Sequence, residues 1–124
     1  MHSTSALLLA EQWLKILSDL GRASATIKAY RSTLTHFFAF CEIHDIAPER
    51  ASFEDIAGYI RPQLPDMPSS VASATLQLRI SALRLWYDFL IYQDVCGLNP
   101  LPRSGLPGNL TSGRGLVPRI TRLP

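Results

Sequence analysis

The sequence predicts an all-α protein, a bundle of four helices packed orthogonally or antiparallel, with a basic extended C-terminal tail. Three observations predict it. Apolar residues recur at helical spacing in four separate stretches. No strand-type alternation of apolar and polar residues persists anywhere. The stretch from Pro102 to Pro124 is rich in proline and glycine and has few core-forming residues, so it reads as a linker or a disordered end.

Helix one is expected from about Ser5 to Leu20, with Leu9, Trp13, Ile16, Leu17 and Leu20 inward and Gly21 as its stop. Its Ala6–Ala10 run is cut by Glu11 and has no basic leader, so it does not read as a signal peptide. Helix two opens at Ser24, a favoured N-cap residue, and runs to about His44. Ile27, Tyr30, Leu34, Phe37, Phe38 and Cys41 share one face. Lys28, Arg31 and Thr35 line up with Ser24 on the other flank. Helix three starts at Ser52, where Ser52-x-x-Asp55 approximates a capping box. Ile56, Tyr59 and Ile60 are its core residues. Arg61-Pro62 ends it, because the residue before a proline avoids helical geometry.

Helix four is expected from Ser69 or Ser70 to Val95, stopping at Gly97. Leu76, Ile80, Leu83, Tyr87 and Leu90 step along it at helical intervals. Ser70, Ser73, Gln77, Ser81, Arg84 and Asp88 step the same way on the opposite side. A helix that is apolar nearly all round should be buried and should show its one polar stripe to something. Hydroxyls, an amide and an arginine suit phosphates and base edges, and they also suit plain water.

At 124 residues the chain is one small domain plus a tail, and 47% hydrophobic residues suffice for a core. No apolar run approaches the ~18 residues of a membrane helix. Two cysteines, Cys41 and Cys96, fit a reduced cytosolic context without a disulfide framework. Residues 1–102 hold eight Lys/Arg against ten Asp/Glu, a balance of −2. Residues 103–124 hold Arg103, Arg114, Arg119 and Arg122 and no acid, a balance of +4. Polyanion binding by the folded part therefore needs a local patch.

Lys28 and Arg31 are the best candidate phosphate contacts. They lie beside the first turn of helix two, whose free N–H groups also favour anions. Gln77 and Ser73 are candidates for base edges, since glutamine pairs bidentately with adenine. Arg84 lies one turn from Asp88, so an ion pair within the helix accounts for it as well as DNA does. Thr75 and Arg79 flank the apolar arc, where the Arg79 stem packs and its head reaches water. Trp13, Tyr30, Trp86 and Tyr87 have the spacing of core residues rather than of a stacking platform. Cys41-x-x-His44 lacks the second pair that a zinc site needs. There is no Gly-rich phosphate loop, no catalytically spaced carboxylate pair and no Ser/His/Asp set, so these residues predict neither an enzyme nor a cofactor.

Several motifs occur together in a set order. Ser24-x-Thr26-x-x-x-Tyr30 opens helix two and Leu34-x-x-Phe37 continues it. Thr75-x-x-x-Arg79-Ile80-Ser81-Ala82-Leu83-Arg84 with Tyr87 and Leu90 forms helix four, and Asn99-Pro100 follows a turn containing Gly97. On these residues the chain resembles the N-terminal core-binding, SAM-like domain of phage-integrase and Xer-type tyrosine recombinases, over roughly residues 5 to 102. The resemblance implies a SAM-like four-helix bundle over 1–102 that clamps double-stranded DNA at a recombination site. It implies that 103–124 is a basic interdomain linker to a catalytic domain that this sequence does not contain. The DNA-facing residues it implies are Ser24, Thr26, Lys28, Arg31 and Thr35 on helix two and Ser73, Thr75, Gln77, Arg79 and Arg84 on helix four. It further implies cytoplasmic recombinase tetramers on DNA, no membrane partner, and strand cleavage through a phosphotyrosine with no metal. Family members often carry more lysine and arginine where this chain has Ser69, Ser70, Ser73 and Thr75. The competing expectation is a helical protein–protein interaction module with no DNA role.

Overall fold

The structure, a computed structural model, describes residues 2–101, with side chains from Ser5 onward. It holds four helices: α1 (His2–Asp19), α2 (Ser24–Ile43), α3 (Phe53–Ile60) and α4 (Ser73–Tyr92). Single 3-10 turns at Pro48–Arg50 and Arg61–Gln63 flank α3. No strand occurs among the described residues. The all-α expectation holds for this part, and the expected basic tail lies outside the described residues.

α4 is the central element. Leu76, Ile80, Leu83, Tyr87 and Leu90 are buried as their spacing predicts, and Ala82, Trp86 and Phe89 are buried as well. Burial therefore wraps most of the helix. Each such large apolar side chain contributes about 1.5–3 kcal/mol. α2 packs on both α1 and α4 and buries Tyr30, Leu34, Phe37, Phe38 and Cys41. Phe38 meets Trp86 with ring centroids 5.2 Å apart, and Phe37 meets Tyr59 edge-on at 5.0 Å. Both are favoured aromatic geometries.

α1 faces the core through part of the expected set, with Trp13 buried and Leu9 and Leu17 packed half-buried against it, but it is turned somewhat from the expected face. Ala6, Ala10, Trp13 and Leu14 are buried, while Ile16 and Leu20 are exposed. The Trp13 ring stacks on Tyr30 at 5.5 Å, which sets the rotation of the helix. Leu20 lies beyond the last helical residue, so helical periodicity no longer governs it.

Three helices end in the same way. Gly21, Asp45 and Asp94 adopt left-handed backbone at φ 90°, 56° and 64°. Behind each, a six-to-one bond closes the end: Arg22 N–H to Leu17 O, Ile46 N–H to Cys41 O, and Val95 N–H to Leu90 O. α4 therefore stops at Tyr92 with Asp94 as the left-handed residue, before the expected Gly97. It also starts later than expected. Ser70 N–H bonds to Met67 O and Val71 N–H to Gln63 O, so Ser69 and Ser70 belong to the preceding loop.

α3 is capped as predicted. Asp55 N–H donates to Ser52 Oγ at 3.1 Å, and Ser52 N–H donates to Asp55 Oδ2 at 3.0 Å. The connection before it is pinned to α4, because Tyr87 O–H donates to Pro48 O at 2.5 Å.

Candidate nucleic-acid interface

α2 and α4 begin alike. Ala23–Thr26 and Ala72–Thr75 both read Ala-Ser-Ala-Thr. In each, the alanine is the N-cap, in extended backbone with ψ of 142° and 147°. Alanine offers no side-chain acceptor, and neither helix has a side-chain cap hydrogen bond. Neither has an acid in its first turn. Ser24 is thus the first helical residue and not the expected N-cap, and Ser73 holds the same place in α4. An uncapped, acid-free helix N-terminus presents unsatisfied N–H groups and the positive end of the macrodipole. α3 is the contrast, with a complete capping box and Glu54 and Asp55 in its first turn. The repeated tetrapeptide is visible in the sequence. Its meaning depends on alanine rather than serine standing at the cap.

Ser24, Lys28, Arg31 and Thr35 are all exposed along one face of α2. Arg31 is tied by its guanidinium to Glu11 of α1, which offsets its charge. The Thr35 hydroxyl donates back to Arg31 O at 2.9 Å within its own helix. Lys28 is exposed one turn into α2, and exposed Arg22 stands directly before the N-cap Ala23. Thr26 lies ~160° around α2 from Lys28 at ~100° per residue and is half-buried, so it does not join this face.

The helix-four candidates divide between two sides. Ser73 and Gln77 are exposed and Arg84 is half-buried along the polar stripe. The same stripe carries the exit of the chain: Asn99 Nδ2 donates to Arg84 O at 3.0 Å and to Asp88 Oδ1 at 2.8 Å. Arg79 lies ~160° around the helix from Gln77, and Thr75 lies within ~40° of Arg79. Arg79 and Gln77 therefore cannot face one flat surface together.

Arg79 belongs to a polar cluster that sequence reasoning missed. Its Nη1 donates to Gln63 Oε1 at 2.7 Å, and Gln63 Nε2 donates to Tyr59 O at 2.8 Å. Tyr59 Oη and His36 Nδ1 lie 2.7 Å apart. Burial pushes the Tyr59 phenol up to about 12, partly opposed by the Arg79 charge. Burial and then the Arg79 charge lower the pKa of His36. Arg79 thus acts electrostatically on α2. His36 sits ~140° around α2 from Arg31, so the exposed α2 face has Arg31 at one edge and the Arg79 cluster at the other. Gln63 could not be picked out beforehand, since it is a polar residue among prolines whose burial is tertiary.

Among the described residues no group of His, Cys, Asp or Glu could hold a metal ion, and no helix is long and apolar enough to cross a membrane. Cys41 is buried, and desolvation first, then Asp55 and Glu49, pushes its thiol up to about 12, so it is an inert core thiol.

No curated protein and no solved structure matches this chain. A family model does, and its span covers α2, α3, α4 and most of α1. It matches residues 10–94, well over half the sequence, and on that match the chain belongs to the family described as phage integrase, N-terminal SAM-like domain.

Proposed function

We propose that residues 1–102 are the core-binding half of a tyrosine-recombinase clamp that grips duplex DNA at a recombination site. Family membership supports the class of activity. The observation that carries the reading is the uncapped, acid-free N-terminus of α2 with exposed Lys28 one turn along. Backbone phosphate binds such an end through N–H groups and the helix dipole, and a nearby lysine adds a point charge. The matching N-terminus of α4 supplies a second such place, with Ser73 and Gln77 beside it.

In this reading 103–124 is a basic linker to a catalytic domain that cuts DNA through a tyrosine, in integration or excision of an element in the cytoplasm. Ser24, Lys28, Arg31 and Thr35, with Ser73, Thr75, Gln77, Arg79 and Arg84, remain the proposed contact set, and Thr26, turned away from that face, is left out of it. Exposed Leu7 and Leu8 on α1 offer an apolar surface through which protomers of a tetramer would meet. That same surface is the observation favouring the second reading, a helical interaction module with no DNA role.

The test is titration of a mixed-sequence duplex into the whole chain, read by backbone amide NMR at low and moderate salt. Shifts at 24–28 and 73–77 that shrink with salt are expected, because each phosphate contact adds about 0.9 to the salt slope. Shifts confined to 103–124, or none at low salt, would overturn the reading in favour of the interaction module.

A further inference from the structure

Gln63 is one of two buried polar residues of the described bundle, only 5% exposed. A buried carboxamide is costly unless both its ends are bonded. Here both are. Its Nε2 donates to Tyr59 O, a carbonyl of the last turn of α3 that needs a partner from outside the helix ladder. That bond fixes which way the amide faces. The oxygen is then turned to α4, where it accepts from Arg79 Nη1. With the amide reversed, its NH2 group would face the guanidinium and neither bond could form.

The site has a donor, a brace and an edge. Arg79 is half-buried, so its stem is packed while its head still reaches solvent. Gln63 engages one of five guanidinium N–H donors, and as a neutral acceptor it leaves the positive charge uncompensated. Arg31 is the contrast, since its partner is the Glu11 carboxylate. A guanidinium held by a neutral acceptor keeps its attraction for an anion and loses little side-chain entropy on binding one.

We propose that Gln63 is a positioning residue, which holds the Arg79 guanidinium at the His36 edge of the α2 face so that Arg79 binds a DNA backbone phosphate. The inference rests on the DNA-binding reading above and extends it to a residue that touches no DNA. The brace runs from α3 through Gln63 to α4, so the last turn of α3 sets where the charge on α4 points.

The experiment uses the whole chain and a mixed-sequence duplex of about two helical turns at low salt, with Lys28→Ala as the reference variant. Affinity, its salt slope, thermal stability and the Arg79 side-chain Nε–Hε resonance are read together. Arg79→Ala should lower the salt slope by about 0.9. Gln63→Met, close in size but without the acceptor, should weaken binding about three- to tenfold while the chain stays folded. Adding Gln63→Met to Arg79→Ala should cost nothing further. Gln63→Glu keeps an acceptor and the shape, but it gives up the donor to Tyr59 O and neutralises the guanidinium, so it should weaken binding as Arg79→Ala does. The Arg79 resonance should move on adding duplex in the wild type and stay still in Gln63→Met. Gln63→Met and Gln63→Glu that change melting alone, with duplex affinity and the Arg79 resonance as in wild type, would overturn the proposal. So would loss of binding in Lys28→Ala but not in Arg79→Ala, and that outcome leaves the DNA reading standing. If the wild-type chain binds no duplex, Lys28→Ala reports nothing either, and both fall together.

Discussion

Asn99 Nδ2 donates to Asp88 Oδ1 at 2.8 Å, joining the segment that follows α4 back to the C-terminal half of that helix. The same amide group donates to Arg84 O, and Asn99 Oδ1 accepts from Leu101 N–H at 2.8 Å. Pro100 and Leu101 are buried behind it. One asparagine thus turns the backbone and fastens it to a carbonyl and a carboxylate one turn apart.

Asn99→Ala should cost about 1–2 kcal/mol, because it strips donors from partly buried acceptors. Hydrogen exchange at the Leu101 amide should quicken more than exchange within α2. Unchanged exchange at Leu101 would show that burial of Pro100 and Leu101 alone holds the segment.

Ala23→Asp and Ala72→Asp should each make the protein more stable and a poorer DNA binder. An aspartate N-cap satisfies the open N–H groups and complements the dipole, worth about 0.5–2 kcal/mol. The same carboxylate occupies the place proposed for a phosphate. Melting and duplex affinity should therefore move in opposite directions. Stabilisation with unaltered affinity would show that these helix ends do not meet DNA.

Tyr87→Phe should destabilise by about 0.5–1.5 kcal/mol, since Pro48 O loses its shorter bond and keeps only the Ala51 N–H at 3.3 Å. For a domain near 100 residues each kcal/mol lowers melting by about 4–8 °C. Proteolysis between α2 and α3 should speed up as well, because that bond ties the connection to α4.

The folded state should lose stability as pH falls below about 6.5. Burial, then the Arg79 charge, lowers the pKa of His36 from its ordinary 6.5, so folding favours the neutral imidazole. The stability it contributes is fully present above 6.5 and is lost as pH falls through the folded value. His36→Gln should flatten melting temperature against pH in this window. A slope that survives the substitution assigns the acid response to other groups.

Much of the fold was legible in the chain, for identifiable reasons. The Leu76, Ile80, Leu83, Tyr87 and Leu90 periodicity marked the buried side of α4, and Ser52 with Asp55 marked the start of α3. Helix ends were harder. A serine next to a helix start is as compatible with the first helical position as with the cap, and Ser24 took the former. Asp94 ends α4 in a conformation usually given to glycine, so Gly97 misled. Small residues hid the inner face of α1: Ala6 and Ala10 carry little hydrophobic signal, yet both are buried. For the candidate site, the α2 line of Ser24, Lys28, Arg31 and Thr35 followed from spacing alone. The partners that set each charge did not. Glu11 lies twenty residues before Arg31 and Gln63 sixteen before Arg79, and only packing brings them together.

α4 is hemmed in on most of its circumference by Trp86, Tyr87, Leu83, Ala82 and their neighbours. Substitution there disturbs the core, whatever it does for binding. The strip through Ser73, Gln77, Ser81 and Arg84, with exposed Leu78 and Leu85 beside it, can drift at small thermodynamic cost, and its far end is already committed to holding Asn99. The helix therefore has about two turns at its N-terminal end on which new specificities can evolve, and divergence among related chains should concentrate there.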